Sequence, residues 1–159
     1  MFATSSDDLA SRDRVLSLSG LHFMEAMRDG TLPQPPIGRV LGYCVTGVEA
    51  GRVVFTGTPT FDHTNPLGSV HGGWYGTLLD SAMACAVMTT VPKGRVYTTL
   101  EYKVNIVRAI PLGTEILAEG VVRHGGRSTG VADGTIRGAA DGTLYATGST
   151  TCLIMDGTA

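Results

Sequence analysis

The sequence predicts an α+β fold in which a curved antiparallel sheet of about six strands wraps one long apolar helix. Three observations carry that expectation. Residues 71–91, HGGWYGTLLDSAMACAVMTTV, read as a helix opened by two glycines and closed by Pro92, and Asp80 is its one charged residue. No face of this helix is polar enough for a surface position, so it should be buried. Around it lie six strand-like stretches, two before and four after, punctuated by glycine-containing turns. A long buried helix beside antiparallel strands is best accommodated when the sheet curls and the helix fills its concave face.

The elements follow in order. Residues 1–11 are polar and read as disordered. Residues 12–29 carry a helical stripe of Leu16, Phe23, Met24 and Met27, interrupted at Gly20 and stopped at Gly30. Pro33, Pro35 and Pro36 make 31–38 an extended arm. Residues 39–48 and 51–59 form a hairpin turning at Gly51, and 61–69 is a loop bearing His63 and Asn65. After the central helix, 95–108 alternates as a half-buried strand. Val96, Thr98, Leu100, Tyr102, Val104 and Ile106 should share one face, with Tyr97, Thr99, Glu101, Lys103 and Asn105 on the other. Strands at 114–124, 128–138 and 143–155 complete the set, with turns at 125–127 and 140–142. The chain thus divides into a tail, helix and proline-rich arm at 1–37 and a main domain at 38–159.

Composition bounds the function. A chain of 159 residues, 43% hydrophobic and 16% charged, suits one compact domain. Its net charge of −2 argues against nucleic acid as a partner. The 22 glycines lean towards β-structure. Cys44, Cys85 and Cys152 are odd in number and widely spaced, which suits free thiols in a reducing cytoplasm better than a disulfide framework or a zinc site. The N-terminus lacks an apolar signal core, and the one long apolar segment contains Asp80. A cytoplasmic protein with no membrane partner is expected. His63 and His71 lack a Cys or acid at ligand spacing, so no metal is expected. His22, on the first helix, reads as packing or surface.

A carboxylate in an apolar helix is expected to have a raised pKa, which moves it towards useful basicity. A helix start supplies free N–H groups and the positive end of a dipole, and Gly72 and Gly73 let a carbonyl approach that backbone. His71 reads first as a cap or loop-packing residue, and alternatively as a base or oxyanion donor.

The run Asn65-Pro66-Leu67-Gly68-Ser69-Val70-His71-Gly72-Gly73, followed by Leu78-Leu79-Asp80-Ser81-Ala82, resembles the hot-dog fold thioesterases. The nearest subgroup is the phenylacetyl-CoA thioesterase-like set, with the 4-hydroxybenzoyl-CoA thioesterase of the type that carries its acid in the central helix. The resemblance covers roughly residues 38–155. It implies that Asp80 is the catalytic carboxylate, as general base on water or as nucleophile, and that the Gly72 N–H polarises the thioester carbonyl. It also implies that Asn65 orients water or carbonyl, and that Thr99, or Thr98 if the preceding turn shifts, helps to hold the water. Ala84 departs from members with a hydroxyl one turn after the acid. Arg108, at a strand end, and Ser128 and Thr129, near positions that contact the nucleotide in related enzymes, are candidates for binding CoA. CoA is part of the substrate, so no separate cofactor is implied.

Gly72 and Asp80 are eight residues apart on one helix, roughly 12 Å along its axis. One thioester carbon cannot meet both, so the donor of one chain should meet the acid of another, in a dimer with shared sites. A tetramer built as a dimer of dimers is expected. The leading expectation is an acyl-CoA thioesterase; the alternatives are a hydratase or dehydratase of the same fold and a non-catalytic acyl-CoA-binding module. The acyl group is left open, with Trp74, Tyr75, Met83 and Met88 reading as pocket or, more simply, as core.

Overall fold

The computed structural model describes residues 1–157; residues 158 and 159, the end of the expected main domain, lie outside it. Four α-helices and six strands are described: α1 (Arg12–Leu16), α2 (Gly20–Arg28), α3 (Pro36–Leu41), β1 (Tyr43–Glu49), β2 (Arg52–Gly57), α4 (Gly72–Met88), β3 (Arg95–Ile106), β4 (Ile116–Gly125), β5 (Thr129–Gly138) and β6 (Leu144–Asp156). The strands form one antiparallel sheet in the order β1-β2-β4-β5-β6-β3. The α4 helix packs on it, with Leu78, Leu79, Ala82, Met83, Ala86 and Val87 fully buried. This is the hot-dog architecture. No helix among the described residues is long and apolar enough to cross a membrane.

Glycines explain how closely the helix approaches the sheet. A Cβ at Gly134 on β5 would stand 2.7 Å from Met83 Cγ and 3.0 Å from Leu79 Cδ2. A Cβ at Gly120 on β4 would strike the Ala82 backbone. Part of the glycine content is therefore space for α4. The hairpin glycine, Gly51, has φ 78°, the left-handed region in which it alone is unstrained.

The N-terminal region differs most from expectation. Residues 1–11 are ordered: Phe2 bridges to Gln34, Ala3 is buried, and Ser6–Asp8 forms a turn of 3-10 helix. The Asp8 carboxylate holds that turn by accepting from Thr4 N–H (2.7 Å), Thr4 hydroxyl (2.8 Å) and Ser5 N–H (3.0 Å). The expected helix over 12–29 is two helices, because Ser19 starts afresh as an N-cap, its hydroxyl accepting from His22 N–H. Gly20 lies against the carbonyl of Met88, at the C-terminal end of α4, where a side chain would not fit. Gly30, with φ 77°, ends α2 as expected. The proline-rich arm is only partly extended. Pro35 caps α3 and Pro36 occupies its first turn, where a missing N–H costs nothing. Gly42, at φ 68°, terminates it, so β1 begins at Tyr43 instead of residue 39.

The alternation along β3 is also broken. A bulge between Thr99 and Glu101 shifts the register against β6. Before it, Tyr97 and Thr99 face α4; after it, Tyr102 lies over Gly76 and Ile106 over Gly72. The strand therefore exchanges faces at Leu100, and neither expected set of side chains remains together.

Candidate active site

The loop before α4 is built around Asn65. Its Oδ1 accepts from the N–H groups of Leu67 (2.9 Å) and Ser69 (3.2 Å), an Asx turn that fixes the loop. With that oxygen engaged, the free group is Nδ2, which has no acceptor among the described residues. The Thr64–Val70 bridge then returns the chain to the helix start.

His71 is the N-cap of α4, and its Nδ1 accepts from Gly73 N–H at 2.9 Å. A ring nitrogen that accepts carries no proton, so the neutral ring is protonated at Nε2. Gly73 is thereby removed as a donor. Trp74 N–H is engaged with the His71 carbonyl at 2.9 Å, whereas Gly72 N–H meets no acceptor among the described residues. The helix start thus presents one exposed free donor, at Gly72, at the positive end of the dipole.

Asp80 lies two turns further on and is half-buried. Thr99 donates its hydroxyl hydrogen to Asp80 Oδ1 at 2.9 Å from β3. Burial raises the Asp80 carboxyl above its ordinary value, and the Thr99 bond opposes this. Thr98 is exposed and makes no such bond, so the β3 bulge and register present Thr99. Burial also pushes the neighbouring Cys85 thiol up to about 12 and Tyr97 well above the usual phenol value. Both stay protonated at neutral pH beside Asp80. Ala84 is buried and adds no hydroxyl.

Within one chain Gly72 and Asp80 do not meet, since the helical rise keeps them roughly 12 Å apart. Both lie along β3, the sheet edge on the α4 side, where Leu100, Tyr102 and Ile106 are exposed. Arg108, Ser128 and Thr129 are all exposed, but at opposite ends of the sheet. Arg108 follows the end of β3 that lies over Gly72, whereas Ser128 and Thr129 occupy the β4–β5 turn, where Gly125 approaches Thr90. Trp74, Tyr75, Met83 and Met88 are core. Trp74 Nε1–H donates to the Leu41 carbonyl and Tyr75 hydroxyl accepts from Ile110 N–H, each at 2.9 Å.

Sequence reasoning missed a small apolar cavity beneath the N-terminal segment, lined in part by Gln34, Tyr43 and Ser81. No signal pointed to it, because half of its wall comes from residues read as tail and arm.

Residues 67–145 match the thioesterase superfamily. The chain belongs to that superfamily. The matched region includes Gly72, Asp80, Thr99, Arg108, Ser128 and Thr129, and begins two residues after Asn65. Solved structures of similar fold bear this out. The Escherichia coli PaaI protein, from the phenylacetic acid degradation operon, is 25% identical with a TM-score of 0.74, over 88% of this chain and 96% of that one. A putative thioesterase of Ralstonia eutropha JMP134, described as phenylacetic acid degradation-related, is 28% identical with a TM-score of 0.74, over 82% and 98%. A hypothetical thioesterase of Streptococcus pneumoniae TIGR4, solved with coenzyme A, is 26% identical with a TM-score of 0.67, over 76% and 91%. No curated protein matches the chain. The matched region holds Asp80 on the central helix and the free Gly72 N–H at that helix's start.

Proposed function

We propose that the protein hydrolyses an acyl-CoA thioester to the free acid and CoA, in sites shared between two copies of the chain. The observation that carries this reading is the Asp80–Thr99 pair, a half-buried carboxylate aligned by a hydroxyl beside an uncovered sheet edge. Asp80 takes a proton from water as the water oxygen attacks the thioester carbon. The developing oxyanion is held by the Gly72 N–H, with Asn65 Nδ2 as a second donor. The carbon–sulfur bond then breaks, and the CoA thiolate leaves and is protonated. The coenzyme A in the pneumococcal relative and the phenylacetic acid context of two others support a CoA thioester as substrate.

The second copy is supported by the β3 edge. An unpaired edge strand that exposes Leu100, Tyr102 and Ile106 is a liability unless it is covered. Pairing it with β3 of another copy about a two-fold axis lays the two α4 helices antiparallel. An axis passing Gly76, midway between Gly72 and Asp80, sets Gly72 of one copy opposite Asp80 of the other. Gly76 is where Tyr102 of β3 crosses the helix: a Cβ there would stand 3.4 Å from the Tyr102 ring. The same pairing carries Ser128 and Thr129 of the second copy towards Arg108 of the first, which gives the CoA phosphates one strip of cationic and hydroxyl groups.

The experiment is release of free thiol from a panel of acyl-CoAs, followed with a thiol reagent. Turnover that is lost in Asp80→Ala and kept in His71→Ala supports the reading. Binding without turnover in the unaltered protein makes it a binding module instead, and water addition to an enoyl-CoA makes it a hydratase.

A further inference from the structure

A small apolar cavity lies outside the site just described. It holds about 50 Å³ between the N-terminal segment and α4, and its wall is largely apolar. Phe2 and Ile37 close it from the N-terminal side, and Tyr43 bounds it from β1. Its floor is Ser81 and Cys85 of α4. Ser81 follows Asp80 and Cys85 stands one turn beyond Ser81, so the floor is the helix face adjoining the carboxylate.

Its polar groups are unequal. Tyr43 and Ser81 hydroxyls satisfy each other at 2.9 Å. Gln34 is only 7% exposed, and its Oε1 accepts from Val45 N–H at 2.9 Å, which fixes the orientation of the amide. The Nε2 group is then a donor with no acceptor among the described residues, in a side chain that lines the cavity. Among the described residues no side-chain nitrogen or oxygen sealed from solvent lacks a partner, so this N–H is accessible and can donate to an acceptor that enters from outside the chain.

We propose that this cavity receives the far end of the acyl group and that Gln34 selects a short chain carrying a hydrogen-bond acceptor there, a keto or hydroxyl oxygen. The proposal rests on the thioesterase reading and deepens it. Size sets the limit: an apolar cavity of about 150 Å³ holds benzene, so this one takes on the order of two or three heavy atoms and no aromatic ring. The acyl preference then differs from the one the names of the phenylacetic acid relatives suggest.

The test compares kcat/KM for acetoacetyl-CoA, butyryl-CoA and phenylacetyl-CoA. Gln34→Glu keeps the acceptor for Val45 N–H and replaces the free donor with an acceptor. The acetoacetyl-to-butyryl ratio should fall about tenfold or more against the unaltered protein, a comparison in which intrinsic reactivity cancels. Ile37→Ala, at a position 44% exposed, should fold normally and widen the cavity. It should raise the phenylacetyl-to-butyryl ratio about fivefold or more. If Gln34→Glu fails to fold, Ile37→Ala decides alone. Unchanged ratios overturn the proposal and leave Gln34 satisfied by a water molecule. If the unaltered protein hydrolyses none of the three, the thioesterase reading fails. The cavity is then decided by the affinities of Asp80→Asn protein for acetoacetyl- and butyryl-CoA, with and without Gln34→Glu; equal affinities overturn it.

Discussion

Gly72→Pro removes one hydrogen atom from the proposed site and little else. Gly72 is the first residue of α4, the position at which proline is best tolerated. His71 has φ −64° and ψ 138°, a backbone that a residue preceding proline adopts readily. A Cβ at 72 meets only Ile106 Cδ1, at 3.6 Å, an ordinary contact. The N–H that is lost has no acceptor among the described residues, so no internal hydrogen bond is broken. The substitution also restricts the unfolded chain, which stabilises by about 0.4–1 kcal/mol or a little more. For a chain of this size that is an increase of about 1–4 °C in Tm. Catalysis should respond oppositely. Loss of an oxyanion donor costs about 2.7–4 kcal/mol, a fall of roughly 10²–10³ in kcat. Gly72→Ala retains the N–H and should stay within about fivefold of the unaltered enzyme. Thiol release and thermal unfolding, measured on both variants, check this. Equal activity in Gly72→Pro and Gly72→Ala would refute the assignment of the donor.

Thr99→Val removes a hydrogen bond to a carboxylate worth about 1.5–3 kcal/mol, so kcat/KM should drop by about 10–100-fold. Because that bond lowers the Asp80 pKa, the acidic limb of the pH–rate profile should also move to higher pH, and Thr99→Ser should restore it; a fixed limb contradicts the role given to Thr99. Asp80→Asn should abolish turnover yet stabilise the protein. The folded-state carboxyl is raised by burial, so its contribution to stability is full below the unfolded pKa and is lost as pH rises through the folded value. With solvent screening of a half-buried group, the gain near pH 7 is about 1 kcal/mol, or about 3 °C. It should shrink as pH falls, and a pH-independent difference in Tm counts against a raised Asp80. Leu100→Asp places a charge on the β3 edge at a residue 58% exposed, so it should change monomer stability by no more than about 0.5 kcal/mol. Sedimentation should nevertheless show a smaller particle without activity; an unchanged, active particle removes β3 from the interface.

The central helix was legible because its chemistry is local: an 18-residue apolar run with one acid has few places to go in a small α+β fold. Free N–H groups at the helix start were legible for the same reason, and the family resemblance pointed to Gly72 among them. Gly73 was not distinguishable from it until the His71 ring was seen to occupy the Gly73 N–H. Thr99 and Thr98 could not be separated by alternation, because alternation carries no record of the bulge at Leu100 that changes the face of β3. The N-terminal segment was misread for a related reason. Its order comes from long-range contacts, Phe2 with Gln34 and Gly20 with Met88, which composition does not encode. The cavity beside Ser81 was hidden with it.

The shared site is tested most directly by hybrids of Asp80→Asn and Gly72→Pro chains, co-expressed with different tags and isolated as mixed pairs. Each homodimer has both sites damaged. In a mixed pair with sites built across the two copies, one site combines the intact Gly72 with the intact Asp80 and the other carries both lesions. The account predicts about half the activity of the unaltered protein in purified hybrids, from one working site in two. Hybrids shown to form that remain as inactive as either parent would contradict it.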